Sequence, residues 1–106
     1  MIGPMTEIQW DTEAMRRTAS ILEVRANALR TKGASDSEIA DTVVADLTSL
    51  AEHWRGPMAN EITKHAEKIS QAGSVSAETL DKLVAVYRST ADDCDATEQQ
   101  NGGFFF

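Results

Sequence analysis

The sequence has little cysteine, proline or aromatic content, and each shortage narrows what the chain can be. Cys94 is the only cysteine among 106 residues, which excludes an intramolecular disulfide and a cysteine-based metal cluster. Only two prolines interrupt the chain, so long helices are allowed. Aromatic residues make up 6% of the sequence, and its three phenylalanines all stand at positions 104–106. Any role that needs phenylalanine is therefore confined to the C-terminal tail.

Long apolar segments are also missing. No run approaches the ~20 apolar residues that cross a bilayer, and residues 1–10 contain no basic stretch followed by an apolar run. We therefore expect neither a transmembrane helix nor a cleavable signal peptide. Ten Lys and Arg stand against 17 Asp and Glu, giving a net charge of −7. This acidic balance disfavours nucleic acids and anionic membranes as partners.

The residues that could carry chemistry are sparse and poorly spaced. His53 and His65 lie too far apart for the i, i+4 placement that puts two imidazoles on one metal ion. Cys94 stands among acidic residues, which disfavour a reactive thiolate. No glycine-rich phosphate loop follows a strand. We expect no catalytic residue, no metal and no cofactor, and hence no enzyme.

Apolar residues of the N-terminal half repeat at helical spacing. Between Asp11 and Lys32 the spacings of four and three predict one stripe of a helix: Met15, Ala19, Leu22, Ala26 and Leu29. Asp11 is a suitable N-cap, and Gly33 can end this helix in the left-handed conformation. A capping box at residues 35–38 starts a second helix, with the stripe Ile39, Val43, Leu47, Leu50 and Trp54.

The C-terminal half leaves one choice open. Gly56 and Pro57 end the second helix and open the next one. From there the spacing of four and three continues to Cys94 but weakens at Gly73 and Ser76. Either one long helix has a weak apolar stripe at this point, or the chain breaks and Ser76 caps a fourth helix. The preserved heptad phase favours the unbroken helix.

Two all-α architectures fit this pattern. In the first, the chain is a helix–turn–helix hairpin that bends at residues 54–56 and has its first arm kinked near Gly33. Because two arms cannot enclose a core, this hairpin pairs with a second hairpin in a dimeric four-helix bundle. In the second, four short helices form a monomeric bundle. Both predict a flexible N-terminus at residues 1–10, a helical domain at 11–99 and a flexible tail at 100–106.

The triplet Trp54-Arg55-Gly56, at mid-chain between two helical arms, resembles the Trp-x-Gly (WXG, ESAT-like) family of small type VII secretion substrates of actinobacteria and firmicutes. The Gly56-Pro57 step is also similar to related ESX secretion-associated proteins. Members of the family are helical hairpins that pair with a second hairpin, often a different protein. The resemblance implies a homodimer or a heterodimer with a paralogous hairpin. It also implies secretion from the cytoplasm without a cleavable signal peptide.

The same resemblance assigns site residues. Trp54 and Gly56 match the turn half of the family's composite export signal, and Tyr87 matches the tyrosine of its C-terminal tyrosine–acidic motif. The acidic residue expected four positions after Tyr87 is Ala91, and Asp92 comes one residue late. Since one residue turns a helix by about 100°, either a local distortion restores the pair or the motif is degenerate.

The tail Phe104, Phe105 and Phe106 follows a glycine-containing spacer at residues 101–103. Burying one phenylalanine is worth ~1.5–3 kcal/mol, so the tail either folds back on the bundle, is disordered, or docks to a partner. It resembles the apolar tails that family members offer to the secretion ATPase. We expect a type VII substrate or partner. The alternative is an intracellular adaptor or chaperone for the helical targeting domain of a larger secreted toxin.

Overall fold

Each amphipathic stripe of the sequence becomes a helix that its own capping residues delimit. The computed structural model describes residues 11–101, and side chains are described for residues 11–96. The helices are α1 (Thr12–Thr31), α2 (Asp36–Ala51), α3 (Pro57–Ala72) and α4 (Ala77–Asn101). Between residues 11 and 101 there is no strand. The predicted all-α class is confirmed, and α4 runs two residues past the predicted domain end.

The predicted N-caps are in place. The Asp11 carboxylate accepts a hydrogen bond from the Ala14 backbone N–H at 2.8 Å. The Ser35 hydroxyl accepts one from the Glu38 N–H at 3.5 Å. Each bond satisfies a donor that the first turn of a helix cannot pair internally. The starts of α1 and α2 therefore follow from local sequence.

At Gly33 the chain reverses its direction. Gly33 has a φ of 64°, in the left-handed region that ends a helix. α2 then runs back along α1: Arg25 Nε lies 3.2 Å from Asp46 Oδ2, and the Trp54 indole at the end of α2 reaches Asp11 at the start of α1. The break near Gly33 is thus a turn between antiparallel helices and not a kink within one arm.

The unbroken helix that the heptad phase favoured after Pro57 is wrong. Gly73 has a φ of 74°, and its N–H donates to the Ile69 carbonyl at 2.9 Å, which closes α3. The Ser76 hydroxyl then accepts a hydrogen bond from the Thr79 N–H at 3.1 Å and starts α4. A left-handed glycine followed by a serine cap overrides the periodicity, so the interpretation with Ser76 as a cap is correct.

The four helices form an up–down–up–down bundle. The most extensive packing joins α1 to α4 and α2 to α3, while α1 and α2 contact each other less extensively. The Cα atoms of α3 and α4 stay more than 8 Å apart. This arrangement encloses a core within one chain, as the architecture of four short helices predicted.

The core consists mainly of aliphatic side chains from all four helices. Its largest fully buried members are Tyr87, Met15, Leu22, Leu47, Leu50, Ile62, Leu80 and Val43. Within the described side chains, every buried nitrogen and oxygen atom has a hydrogen-bond partner. The apolar stripes read from the sequence therefore face inward, and the few buried polar groups are satisfied.

Candidate export and partner-binding site

Trp54 packs the turn between α2 and α3 against the start of α1. Its side chain is only 4% exposed, and its indole Nε1 donates a hydrogen bond to the Asp11 carbonyl at 3.1 Å. The helix tightens just before it, with the Trp54 N–H bonded to the Ala51 carbonyl at 3.2 Å. The buried indole therefore fixes the turn against α1, whereas Arg55 beside it is exposed.

Gly56 is required by its backbone conformation and not by lack of space. Its φ of 78° and ψ of −153° are values that L residues rarely adopt. A Cβ atom placed there would meet no atom within 4 Å. Gly56 N-caps α3 and lets Pro57 take the first helical position. The motif glycine thus sets the angle at which α3 leaves the turn.

Asp11 makes three contacts at this end of the bundle. Its carboxylate caps α1, its carbonyl receives the Trp54 indole, and its Oδ2 lies 3.3 Å from Nδ1 of His53. The last contact becomes an ion pair when His53 is protonated. Asp11 therefore links the end of α2 to the beginning of α1.

The acidic residues of α4 reach the same end. Arg16 NH2 lies 2.7 Å from Asp92 Oδ1, and its NH1 lies 2.8 Å from Asp95 Oδ2. The Thr12 hydroxyl donates to Asp95 Oδ1 at 3.0 Å. The hydrogen bond to Asp92, followed in size by the one to Asp95, raises the pKa of Arg16. The hydrogen bond from Arg16 lowers the pKa of Asp95. All three charged side chains are at least one-third exposed, so solvent weakens these ion pairs.

We call this region the turn end; it consists of Asp11, Trp54, Gly56, Arg16, Asp92 and Asp95. The N-terminal part of α1 connects its two halves, since Asp11 contacts Trp54 while Arg16 contacts Asp92 and Asp95. A single chain thus brings the Trp-x-Gly turn and the acidic segment of α4 to one end of the bundle.

Tyr87 has a different environment from Asp92. It is fully buried, and its hydroxyl forms a hydrogen bond of 2.7 Å with Nδ1 of His65 on α3. Burial raises the pKa of Tyr87 and lowers the pKa of His65. Ala91, at the position where the family motif has its acid, is also fully buried. Tyr87 therefore faces the core while Asp92 faces Arg16, and the late acid stays on another side of α4.

A groove runs between α1 and α2 beside the turn end. It has a volume of about 160 Å³ and is lined by Ala14, Arg17, Thr18, Ile21, Asp46, Ser49, Leu50 and His53. Ile21 is 40% exposed, and Val24, one turn further along α1, is 62% exposed. The groove is shallow and mixed in polarity, and Arg25 neutralises Asp46 beside it.

Sequence reasoning missed several residues of the turn end. Asp11 was recognised as a helix cap, but its contact with Trp54 joins residues 43 positions apart, and no local pattern reveals such a pair. Arg16 and Asp95 likewise meet only through the packing of α1 on α4. Outside the turn end, the hydrogen bond between His65 and the Tyr87 hydroxyl also joins residues of different helices, and no local pattern predicts it.

One predicted site, the C-terminal tail, lies outside the described residues. Phe104, Phe105 and Phe106 are outside residues 11–101, so the docking tail stays a prediction. Across those described residues, no helix has the length and apolar character needed to cross a bilayer. Within the same part of the chain, no group of His, Cys, Asp and Glu side chains is placed to hold a metal ion.

The chain matches no protein-family model, no curated protein and no solved structure. Any function must therefore be inferred from the chain's own residues and from their arrangement at the turn end.

Proposed function

We propose that the chain is a non-catalytic helical substrate or partner of a type VII (ESX-like) secretion system, and that the turn end is the folded part of its export signal. The observation that carries this proposal is that Trp54 contacts Asp11 while Asp92 and Asp95 contact Arg16, so that both segments pack on the start of α1. In the family that the sequence resembles, a Trp-x-Gly turn lies beside an acidic C-terminal segment of its partner. Here one chain supplies both parts.

Burial determines what each motif residue does in this proposal. The Trp54 ring is covered, so it holds the turn in position and does not itself contact a receptor. Arg55, Gly56 and Asp92 are exposed, and the Asp95 carboxylate is partly exposed. A receptor would therefore recognise the shape and charge of this end, with Trp54 as the residue that positions it.

The apolar tail supplies the second half of the proposed recognition. Glycines at positions 102 and 103 precede Phe104–Phe106, and a glycine spacer would let the rings enter a pocket of the secretion ATPase without moving the bundle. Aromatic anchors on a short spacer are an economical docking peptide. Pairing with a second helical chain before export belongs to the same proposal.

Export from the native host tests the turn end directly. We expect the chain in the culture supernatant only when the secretion ATPase is present. The double substitution Asp92→Asn and Asp95→Asn should reduce export while far-UV circular dichroism remains helical. The matched control is Asp41→Asn, because Asp41 is an exposed acid on α2 near the opposite end of the bundle. Equal export of both variants would remove the acidic residues from the signal.

A truncation that ends at Gly103 tests the tail. If the tail docks to the ATPase, the melting temperature stays nearly unchanged, while binding to the ATPase and export disappear. A fall of several degrees in melting temperature with ATPase binding intact would instead assign the rings to the fold. Retention of the full-length chain in the cell, bound to a larger toxin, would favour the adaptor alternative.

A further inference from the structure

The groove between α1 and α2 beside the turn end has space for a large side chain. Ala14, Thr18 and Leu50 line it and are themselves buried, while Ile21 on its rim is 40% exposed. The volume of the groove is about 160 Å³, and an apolar cavity of about 150 Å³ can hold a benzene molecule. One aromatic ring would therefore fit between the two helices and would cover Ile21.

The described chain begins at one end of this groove. Asp11 is the first described residue, and its Oδ2 lies 3.3 Å from Nδ1 of His53, which lines the groove. The Trp54 indole holds the Asp11 carbonyl at 3.1 Å. Since consecutive Cα atoms are about 3.8 Å apart, the residue before Asp11 leaves the bundle beside the groove.

A short extended segment is long enough to fill the groove. The groove follows α2 from His53 to Asp46, which lie seven positions apart, or about 10 Å at the helical rise of 1.5 Å per residue. An extended chain covers about 3.3 Å per residue, so about four residues span this length. Residues 7–10 therefore suffice if the chain folds back along α1.

The sequence before Asp11 has the apolar pattern that such a segment needs. Ile8 and Trp10 stand two positions apart, so in an extended chain both side chains point to the same side. Trp10 directly precedes the N-cap Asp11, and Met15 is the fourth helical residue. Apolar residues at these two positions form the hydrophobic staple, which turns the incoming chain back over the first turn of a helix.

Polar groups around the groove match the same segment. Asp46 and Ser49 place oxygen acceptors in the groove, and a buried indole N–H usually finds such a partner. The Arg17 side chain is 62% exposed and contacts Glu13 at 3.5 Å, so the carboxylate of Glu7 can also approach it. The segment thus brings an apolar face and a negative charge to a groove with buried apolar residues and an exposed cation.

The C-terminal tail starts from a less favourable place. No residue of α4 is among those that line the groove. From Asp95, which contacts Arg16, α4 continues for six residues to Asn101, about 9 Å further at the helical rise. Trp10 is instead bonded to Asp11 at the groove, and this short tether gives it a high effective concentration there.

We infer that the groove between α1 and α2 is a peptide-binding site and that residues 7–10 of the same chain occupy it, with Trp10 as the anchor. The segment folds back along α1, covers Ile21 and shields the groove from other apolar peptides until it is displaced. Residues 7–10 thereby become part of the fold, in place of the flexible N-terminus that the sequence pattern predicts. The inference uses no export motif, so an export experiment leaves it unaffected.

Fluorine NMR of the full chain labelled with fluorotryptophan tests the inference, because the sequence has two tryptophans and each gives one resonance. The variant Trp10→Phe assigns them. We expect the Trp10 resonance to be protected from solvent, like that of the buried Trp54. Its shift on replacing water by heavy water, and its broadening by a soluble paramagnetic agent, should both be several-fold smaller than in urea.

Ile21→Glu tests whether the groove provides this protection. It removes the apolar rim and repels Glu7, so the Trp10 resonance should become as exposed as in urea. Because Ile21 is partly exposed, the variant should fold, and an unchanged Trp54 resonance checks this.

Val24→Glu is the matched control. Val24 lies one turn further along α1, is 62% exposed and does not line the groove. The same change of an apolar residue to glutamate should therefore leave the Trp10 resonance protected.

Four results would overturn the inference. The first is a Trp10 resonance that is as exposed in the native protein as in urea. The second is a protected Trp10 that Ile21→Glu leaves unchanged, which would mean that the ring packs only on Met15. The third is protection that disappears on dilution, which would place Trp10 in the groove of a second copy. The fourth is protection that arises only in a truncation ending at Gly103, which would make the C-terminal tail the occupant.

Discussion

Replacing Trp54 by alanine should lower the free energy of unfolding by about 3–5 kcal/mol, the range found for large aromatic side chains removed from cores. The indole is 4% exposed and also donates a hydrogen bond to the Asp11 carbonyl at 3.1 Å. A domain of this size has a total stability of about 5–15 kcal/mol. The substitution therefore removes a large fraction of it, and the melting temperature should fall by more than about 10 °C.

Trp54→Phe separates packing from hydrogen bonding. The phenyl ring keeps most of the buried surface but has no donor, and one such bond contributes about 0.5–1.5 kcal/mol. The Asp11 carbonyl still accepts the Met15 N–H at 3.1 Å, so it is not left unpaired. We therefore expect Trp54→Phe to lose about 1–2 kcal/mol, well below the loss for alanine.

Urea unfolding followed by far-UV circular dichroism measures these losses, with equal m-values required for the comparison. Val24→Ala is the control, because Val24 is 62% exposed on α1 and should change stability by less than about 0.5 kcal/mol. A loss below about 1 kcal/mol for Trp54→Ala would show that the turn is not packed on α1. In the host, a fall in protein abundance must then be separated from a specific loss of export.

Three further predictions concern polar contacts between helices. Tyr87→Phe should lower the free energy of unfolding by about 1 kcal/mol in urea titrations, because the ring stays packed and only the bond to His65 is lost; a loss of several kcal/mol would contradict this. Burial lowers the native pKa of His65 below its ordinary value of 6.5. The contribution of neutral His65 to the free energy of unfolding should therefore be complete above pH 6.5 and fall as the pH drops toward the native pKa. His65→Asn should flatten that decline. Arg16→Gln should lower the melting temperature relative to the wild-type protein only at low salt, because near 1 M salt the Debye length is about 3 Å and the ion pairs are screened. The difference should also vanish in acid, as the pH falls through the lowered native pKa of Asp95 and its carboxylate loses its charge. A difference in melting temperature that persists at high salt would indicate a packing role for Arg16.

Local sequence was sufficient to place most helix ends. Asp11 and Ser35 were predicted as caps and are caps, because a side-chain oxygen next to unpaired backbone N–H groups acts within one turn. Gly56 and Pro57 were predicted to open a helix and do so. The inward stripes were also predicted, since helical periodicity alone puts positions such as Leu22 and Leu47 on one face.

The candidate site was only partly visible in the sequence. The Trp-x-Gly turn could be located from its letters, but the burial of Trp54 depends on α1 lying over it. The shift of Asp92 relative to Tyr87 was visible as a spacing. Because of this shift Asp92 contacts Arg16 and not Tyr87, and that contact is created only by the packing of α1 on α4. Contacts between distant residues have no local signature.

By itself the sequence determined that the chain is helical, that it breaks near Gly33 and Gly56, and which residues face inward, because these depend on caps and periodicity within a few turns. Only the tertiary structure decided that the chain reverses at Gly33 and Gly73. The heptad register passes through both glycines and is equally compatible with straight arms. The reversal is favoured because left-handed glycines let one chain enclose its own core, and that core is formed by residues too far apart for any local pattern to pair.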